Sequence, residues 1–405
     1  MADPKLAGMG EKNFKWAKDH MKALTLLADE EGGERPLSGV KVGVCLHITK
    51  ETSVLIDALL RAGADVKVAA ANPLSTQDDI AAYLATRTEV WAWRGETPKE
   101  YGSCIGKVIS SKPDQLIDDG GDLHVAAHQS KLRLDGGSEE TTTGVVRLRA
   151  LERAGKLRYP VVAVNDSKTK YLFDNRYGTG QSTMDGVMRA TALLIAGKRV
   201  VVVGYGWVGR GIAARARGLG ARVTVVEIDP IKAIEAHLDG FEVGRLDEAV
   251  KTGDLFITAT GQKRVIPFGA VRRMRDGAIL ANAGHFDVEI DAGALYSKAK
   301  RVSGVRPNVE RIELGDGKKV YLIGKGRIAN LVAAEGHPPE VMQMSFANQF
   351  MAALYIRENR GRLEPKVYVA PESADIRVAR AALDSLGIAI DSPTEEQKRY
   401  SQSWS

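Results

Sequence analysis

Two rhythms of apolar residues run along this chain, one of strands and one of helices. The first ~35 residues are polar and helix-prone and end in the flexible stretch Glu31-Gly32-Gly33-Glu34. The valine-rich run Val40–Leu46 then predicts a buried strand. In Thr52–Arg61 apolar residues recur at i and i+4, Val54 with Ala58 and Leu55 with Leu59, which predicts a helix stopped near Gly63. Val66–Ala70 is strand again, and Ser75-Thr76-Gln77-Asp78 has the pattern of a capping box opening the next helix. Glu89–Trp93, Gln115–Ile117 and Val161–Val164 complete a first set of strands. A second set, Arg199–Val203, Arg222–Val226, Leu255–Ala259 and Ala278–Ala281, follows with helices between. Alternation of this kind predicts two doubly wound, parallel-sheet, Rossmann-like α/β domains. After about residue 335 the rhythm turns helical, with helices over 340–358 and 373–386, a short strand Ile388–Ile390, and a capping box Thr394-Glu395-Glu396-Gln397 before a last helix. The boundaries that follow are 1–180 with 337–370, then 181–336, then a C-terminal segment 371–405 suited to subunit contacts.

At 405 residues the chain is long enough for two or three domains. A hydrophobic share of 44% with 27% charged residues permits large buried cores. The net charge of +6 is interspersed, and its densest cluster, Arg272, Arg273 and Arg275, lacks interleaved aromatics, so nucleic-acid binding is rejected. Two cysteines, Cys45 and Cys104, define neither a disulfide framework nor a metal site. The N-terminus lacks the apolar core of a signal peptide, and no run approaches a membrane span. A cytoplasmic protein with no membrane partner is expected.

The segment RVVVVGYGWVGRGIAARARGLGARVTVVEIDP is the most informative. Strand Arg199–Val203 leads into Gly204-Tyr205-Gly206-Trp207-Val208-Gly209, a helix follows, and a second strand ends at Glu227. Gly204 allows the tight turn, Gly206 lets a pyrophosphate approach the backbone, and Gly209 lets helix and strand pack closely. The free N–H groups of the helix N-terminus then face the pyrophosphate. Glu227 stands where a carboxylate accepts hydrogen bonds from ribose hydroxyls and repels a 2′-phosphate, so NAD is predicted over NADP. Lys232 softens that preference.

Polar groups also crowd the predicted strand ends. His47 follows the first strand, Asp118-Asp119-Gly120-Gly121-Asp122 follows Gln115–Ile117, and Glu140 precedes Thr141-Thr142-Thr143. Asn165–Lys170 follows Val161–Val164, with Asp174 and Asn175 just beyond; His285, Asn330 and His337 belong to the second half. Ligands of open α/β sheets bind at the carboxyl ends of strands, so these groups converge in one cleft between the domains. Their spacings match no metal motif, and no metal is expected.

The motifs HITKET, STQD, IDDGGD, EETTTG, NDSKTKYLFDN, GYGWVGRG, EIDP, GHFDVEID and NQF after AEGHP, in order from about residue 5 to residue 400, resemble the adenosylhomocysteinase family. The resemblance implies a reversible hydrolase of S-adenosyl-L-homocysteine, giving adenosine and L-homocysteine, and placing the chain in one-carbon metabolism and the methylation cycle. One NAD⁺ per subunit is recycled: the 3′-hydroxyl is oxidised, a base removes the C4′ proton, homocysteine leaves, water adds and the ketone is reduced again. Residue by residue it implies Lys170 beside Asp174 as the 3′-hydroxyl's proton acceptor, with a lysine pKa brought near ambient pH by burial. It implies Glu140 at the ribose hydroxyls, and His47, Asp119 and His285 at the groups exchanging at C4′ and C5′. Thr49, Glu51, His337 and Met342 match substrate contacts, the first three around the base. Thr141, Thr142, Thr143, Asn175, Lys232, Gly284, His285, Asn330 and His337 join Gly204, Gly206, Trp207, Val208, Gly209 and Glu227 as cofactor contacts. The resemblance assigns the nucleoside to the first domain and NAD to the second, with hinge closure excluding water, in a homotetramer.

The chain departs from that pattern at Thr179, where many members have a cysteine, and at Trp207, Lys232 and Glu335. It also ends soon after Tyr400 without the Lys and Tyr tail of longer members, so weaker NAD binding is expected. Other readings stay open: hydrolysis of a close analogue such as S-inosyl-L-homocysteine, a plain NAD-dependent dehydrogenase, and an NAD-sensing binder. Glu51 as acceptor for an amino group favours adenine over hypoxanthine, and the surplus of acid–base groups disfavours the last two.

Overall fold

A computed structural model describes residues 3–404. Six parallel strands come first: β1 Lys41–Leu46, β2 Asp65–Ala70, β3 Glu89–Trp91, β4 Gln115–Asp118, β5 Gly136–Glu139 and β6 Val161–Ala163. A second sheet holds β7 Arg199–Val203, β8 Arg222–Val226, β9 Glu242–Val243, β10 Leu255–Thr258, β11 Ala278–Asn282, β12 Arg301–Arg306, β13 Val309–Glu313 and β14 Lys319–Ile323. The chain then returns to add β15, Val367–Val369, to the first sheet beside β6. The orders are β15-β6-β5-β4-β1-β2-β3 and β12-β13-β14-β11-β10-β7-β8-β9. Both are doubly wound, with the strand order reversing between β4 and β1 in one and between β10 and β7 in the other. Those switch points are where an open sheet forms a crevice.

Strands β1 and β4 read as apolar runs because helices cover both faces of the sheet. Two strands of this first sheet carried no such signal. In β5 (GGSE) the backbone lies too close to its neighbours for side chains: a Cβ on Gly137 would stand 2.5 Å from His124 Cε1, and one on Gly136 2.8 Å from Ile356 Cγ2. β15 is a three-residue edge strand. The second sheet is also not wholly parallel, since β12–β13–β14 is an antiparallel meander at its edge.

Two expectations need correction. Ser75 does not cap a helix: Asp78–Leu84 begins after Gln77 with no side-chain cap, and the Ser75 hydroxyl instead bonds the His47 ring. Residues 388–390 form no strand; they are exposed loop. The box at Thr394 does form, opening the helix Glu395–Gln402.

The helix Pro339–Glu358 packs against the first sheet with most of its residues buried. Ser345, Asn348 and Gln349, spaced i, i+3 and i+4, make a buried polar stripe directed at the site. The next helix, Glu372–Ser385, packs Val378, Ala381 and Ala382 into the same core, and its Asp375 accepts from the backbone N–H groups of Lys168 and Thr169.

Candidate active site

A cavity of about 530 Å³ lies where the two switch points meet. The segment after β6 explains its centre. Tyr171–Gly178 is a π-helix, whose wider turn stacks i with i+4 and i+5. Lys170 therefore reaches both Asp174 (Nζ to Oδ2 2.9 Å) and Asn175 (Nζ donating to Oδ1, 2.8 Å). Glu140, from the end of β5, completes the group at 3.5 Å from Nζ. All four side chains are buried. Burial works against the Lys170 ammonium, but Asp174 and then Glu140 outweigh it and raise its pKa above the ordinary value. The expectation of a lysine near ambient pH is thus overturned: two carboxylates hold it charged. Burial alone would raise Asp174, yet Lys170 and then His337 hold it well below the usual carboxylate range. Glu140, desolvated first and only partly offset by Lys170, is pushed up to about 7. Behind them Ser345 Oγ donates to Asp174 Oδ2 (3.0 Å) and Gln349 Nε2 to Glu140 Oε2 (2.6 Å).

Across the cavity a second group forms on the ends of β1, β4 and β11. Asp119 lies 3.6 Å from His47 Nε2 through Oδ2 and 3.6 Å from His285 Nδ1 through Oδ1. His47 Nδ1 is 2.7 Å from Ser75 Oγ. Desolvation lowers His47 to about 4 against the pull of Asp119, so its ring is neutral at pH 7. These three ligating atoms are close enough together to hold a metal ion, which the spacing in the sequence did not suggest. His285 belongs to the second sheet, whereas His47 and Asp119 belong to the first. A Cβ on Gly120 would collide with the His285 ring at 2.2 Å, so the two halves meet here face to face. The neighbouring Phe286 ring carries the Arg147 guanidinium 5.8 Å from its centroid.

Thr49, Glu51, His337 and Met342 line the cavity, as do Thr141, Thr142, Thr143, Asn175, Gly206, Trp207, Val208, Lys232, Gly284 and Asn330. Gly204, Gly209 and Glu227 are not part of that lining. Glu227 is spoken for in part: it accepts from the N–H groups of Tyr205, Ile228 and Asp229. Thr179, in the cysteine position, places its hydroxyl 3.2 Å from His337 Nε2, and His337 Nδ1 contacts Asp174.

The dinucleotide fits these residues. The helix Trp207–Gly218 starts at Gly206 with no side-chain cap, leaving its first N–H groups to a ligand. Gly204 has φ +101, and a Cβ on Gly209 would stand 1.9 Å from Gly204 O, whereas one on Gly206 meets nothing within 4 Å. The space over Gly206 is therefore room for a ligand and not packing. Asn330 Oδ1 is buried without a hydrogen-bond partner, a vacant acceptor suited to a carboxamide N–H.

Several site-building residues stood only inside strand-end runs or family motifs and were given no role of their own in the sequence reading. Glu139 Oε1 accepts from Gly120 N (2.8 Å), Thr141 N (2.9 Å) and Thr141 Oγ1 (2.8 Å), tying together the loops that carry Asp119 and the threonines. Asn165 Oδ1 accepts from Thr142 Oγ1 and Asn175 Nδ2. Ser75 and Gln349 orient His47 and Glu140. The family motifs that contain them, STQD, EETTTG, NDSKTKYLFDN and NQF, were the signal that could have found them.

Residues 1–134 match the family profile described as S-adenosyl-L-homocysteine hydrolase, and residues 175–336 match that described as S-adenosyl-L-homocysteine hydrolase, NAD binding domain. The chain is 56% identical to the adenosylhomocysteinase of Aeropyrum pernix, covering 99% of this chain and 98% of that one. It is 53% identical to the adenosylhomocysteinase of Sulfurisphaera tokodaii over the same shares. It is also 52% identical to the S-inosyl-L-homocysteine hydrolase of Methanocaldococcus jannaschii, covering 98% and 96%. Among solved structures, a dipicolinate synthase chain from Bacillus halodurans is similar in fold, with a TM-score of 0.51 at 14% identity over 80% of this chain and 99% of that one.

Proposed function

The chain belongs to the S-adenosyl-L-homocysteine hydrolase family, and we propose that it cleaves S-adenosyl-L-homocysteine reversibly to adenosine and L-homocysteine. The observation that carries this reading is the shared cavity. The buried Glu140–Lys170–Asp174 group and the Asp119-bridged histidines face the same space as the uncapped glycine helix. A dehydrogenase or a binder has no use for both groups.

Gly206, Trp207, Val208, Lys232 and Thr141–Thr143 would hold NAD⁺, with Glu227 toward a ribose and Asn330 toward the carboxamide. Bound there, the cofactor supplies a reversible two-electron oxidation at the nucleoside 3′ carbon. Lys170 faces the 3′-oxygen as an ammonium. It accepts that hydroxyl's proton only as it passes one of its own to Glu140, whose pKa of about 7 lets it receive and return it. Asp174, kept ionised, holds Lys170 in place. On the other side neutral His47 can take a proton, and Asp119 orients it and His285 around C4′ and C5′. Contact between the two halves at Gly120 and His285 keeps water from a 3′-keto nucleoside.

We assign nucleoside binding to residues 1–180 with 337–370 and NAD binding to 181–336. We read the chain as one protomer of a cytoplasmic homotetramer; the exposed Ile231, Ile234 and Leu238, and Ile388, Ile390 and Trp404 toward the C-terminus, are apolar surface for its contacts. Among the described residues no helix is long and apolar enough to cross a membrane.

The test is purified protein with S-adenosyl-L-homocysteine, thiol release and absorbance near 340 nm followed together, with and without added NAD⁺. Many turnovers of thiol without accumulating NADH are expected. NADH rising in step with turnover would replace the proposal with a dehydrogenase. The relative from Methanocaldococcus favours one second reading, a hypoxanthine-bearing substrate.

A further inference from the structure

The helix Lys50–Arg61 begins with a charged pair whose two members face differently. Glu51 lines the cavity and is 1% exposed, whereas Lys50 is not part of the lining and stands behind it. Lys50 Nζ lies 3.2 Å from Glu51 Oε1 and 3.2 Å from Glu335 Oε2. Glu335 in turn pairs with Arg189 Nη1 at 3.0 Å. Gln77 fixes the two backbones: its Oε1 accepts from Lys50 N (3.1 Å) and its Nε2 donates to Glu335 O (3.2 Å). The Glu51 carboxylate is therefore set in the wall by a chain of charges, Arg189, Glu335 and Lys50, that ends on it from outside. Glu335 is one of the positions where the chain departs from the family pattern.

We propose that Lys50 and Glu335 are specificity-determining positioning residues, holding Glu51 ionised as an acceptor for the exocyclic amino group of a 6-aminopurine nucleoside. The inference rests on the reading that the cavity takes a purine nucleoside with its base at Glu51. An ionised carboxylate can only accept. It takes a hydrogen bond from a 6-amino group and repels a 6-oxo oxygen in the same place. A protonated carboxyl would reverse the preference by donating to that oxygen. Burial raises the Glu51 pKa above its ordinary value, and Lys50 is the principal group that limits the rise. The Glu51 backbone N–H and then the Thr49 side chain assist it. His47 and His337 share the cavity, with His47 neutral. Against the desolvation of Lys50, Glu51 and then Glu335 hold it charged. Discrimination thus belongs to two residues that do not touch the base.

The test compares kcat/KM for the S-adenosyl and S-inosyl thioethers, with NAD⁺ added, from pH 6 to 9 in native protein, K50M, K50R and E335Q. The native ratio is expected to favour the adenosyl substrate and to vary less with pH than that of K50M. In K50M it should fall about tenfold or more at pH 7 and climb with pH as Glu51 ionises. K50R should keep the native ratio, and E335Q should lower it by about two- to fivefold. E335Q alters a half-exposed side chain and so keeps the test open should K50M not fold. A lost-packing effect would lower both substrates together and leave the ratio unmoved. A ratio unchanged in every folded variant, while the native enzyme hydrolyses the adenosyl substrate, overturns this inference alone. A native preference for the inosyl substrate overturns it and keeps the hydrolase. Hydrolysis of neither overturns both.

Discussion

Replacing Lys170 by methionine removes the one cation from a buried group that holds two carboxylates. Its Nζ stands 2.9 Å from Asp174 and 3.5 Å from Glu140, and all three are almost fully buried. At an effective dielectric of about 20, charges 2.9 Å apart attract by about 6 kcal/mol. Part of that is offset in the native protein by desolvation and by the repulsion between the carboxylates. Breaking a buried pair from one side costs about 3–5 kcal/mol, since the partner charge is stranded. At about 2–4 °C per kcal/mol, Tm at pH 8 should fall by roughly 6–20 °C. The pH dependence gives the sharper result. In the native protein the folded pKa of Asp174 is depressed, so its stabilising effect is present above the ordinary value of 3.8 and is lost only as pH falls through the lower folded value. Without Lys170, burial raises Glu140 further and Asp174 keeps only His337 against it, and a raised acid destabilises as pH climbs through its folded pKa. The gap between K170M and native Tm should therefore be widest at pH 8 and shrink toward pH 5.5, while hydrolysis falls by about 10²–10⁴-fold at any pH. Thermal melts across that range decide it. A gap that is small, or equal at pH 8 and 5.5, would refute the charge argument.

The glycine loop should divide by cause. G206A should melt within a degree or two of native yet bind NAD⁺ at least about tenfold more weakly by fluorescence titration, while G209A, whose Cβ meets Gly204 O, should lose stability itself. Weaker melting in G206A would mean that the space over Gly206 is structural. The His47 ring should titrate near 4 by NMR, staying neutral through the working range; a midpoint near 6.5 would remove the neutral base from the proposal. E139A should lower kcat far more than E139Q, because the glutamine oxygen can still accept from Gly120 and Thr141; equal losses would make Glu139 more than an anchor.

The parts that follow from local chemistry were legible in the sequence. Valine runs marked the central strands, and one turn-helix motif marked the dinucleotide site down to the separate duties of Gly204, Gly206 and Gly209. What could not be read was the use of a residue whose partner is distant in sequence. Ser75 looks like a helix cap until β2 brings it to His47. Lys170 looks like a base to be tuned by burial until a π-turn sets Asp174 and Asn175 against it and β5 delivers Glu140. Strand β5 itself was missed because closeness to Leu116, His124 and Ile356 demands glycine, which erases the apolar signal.

The carboxylates show the limit most plainly. Glu139 and Glu140 are adjacent at the end of β5, so their side chains point to opposite faces. One reaches the cavity and Lys170; the other turns inward to bind the loops of the switch point. In the second half Glu289 does the same for Thr260 and Gly261. Each half of the protein thus fixes its ligand-binding loops with carboxylates that accept backbone N–H groups. Only their partners separate these from the carboxylates that meet a ligand. A backbone-anchoring carboxylate can be exchanged for its amide with its acceptor oxygen intact. Glu140 and Asp174 cannot, because their work depends on charge and a proton. The Glu-to-Gln exchange is accordingly the experiment that sorts scaffold from chemistry throughout this site.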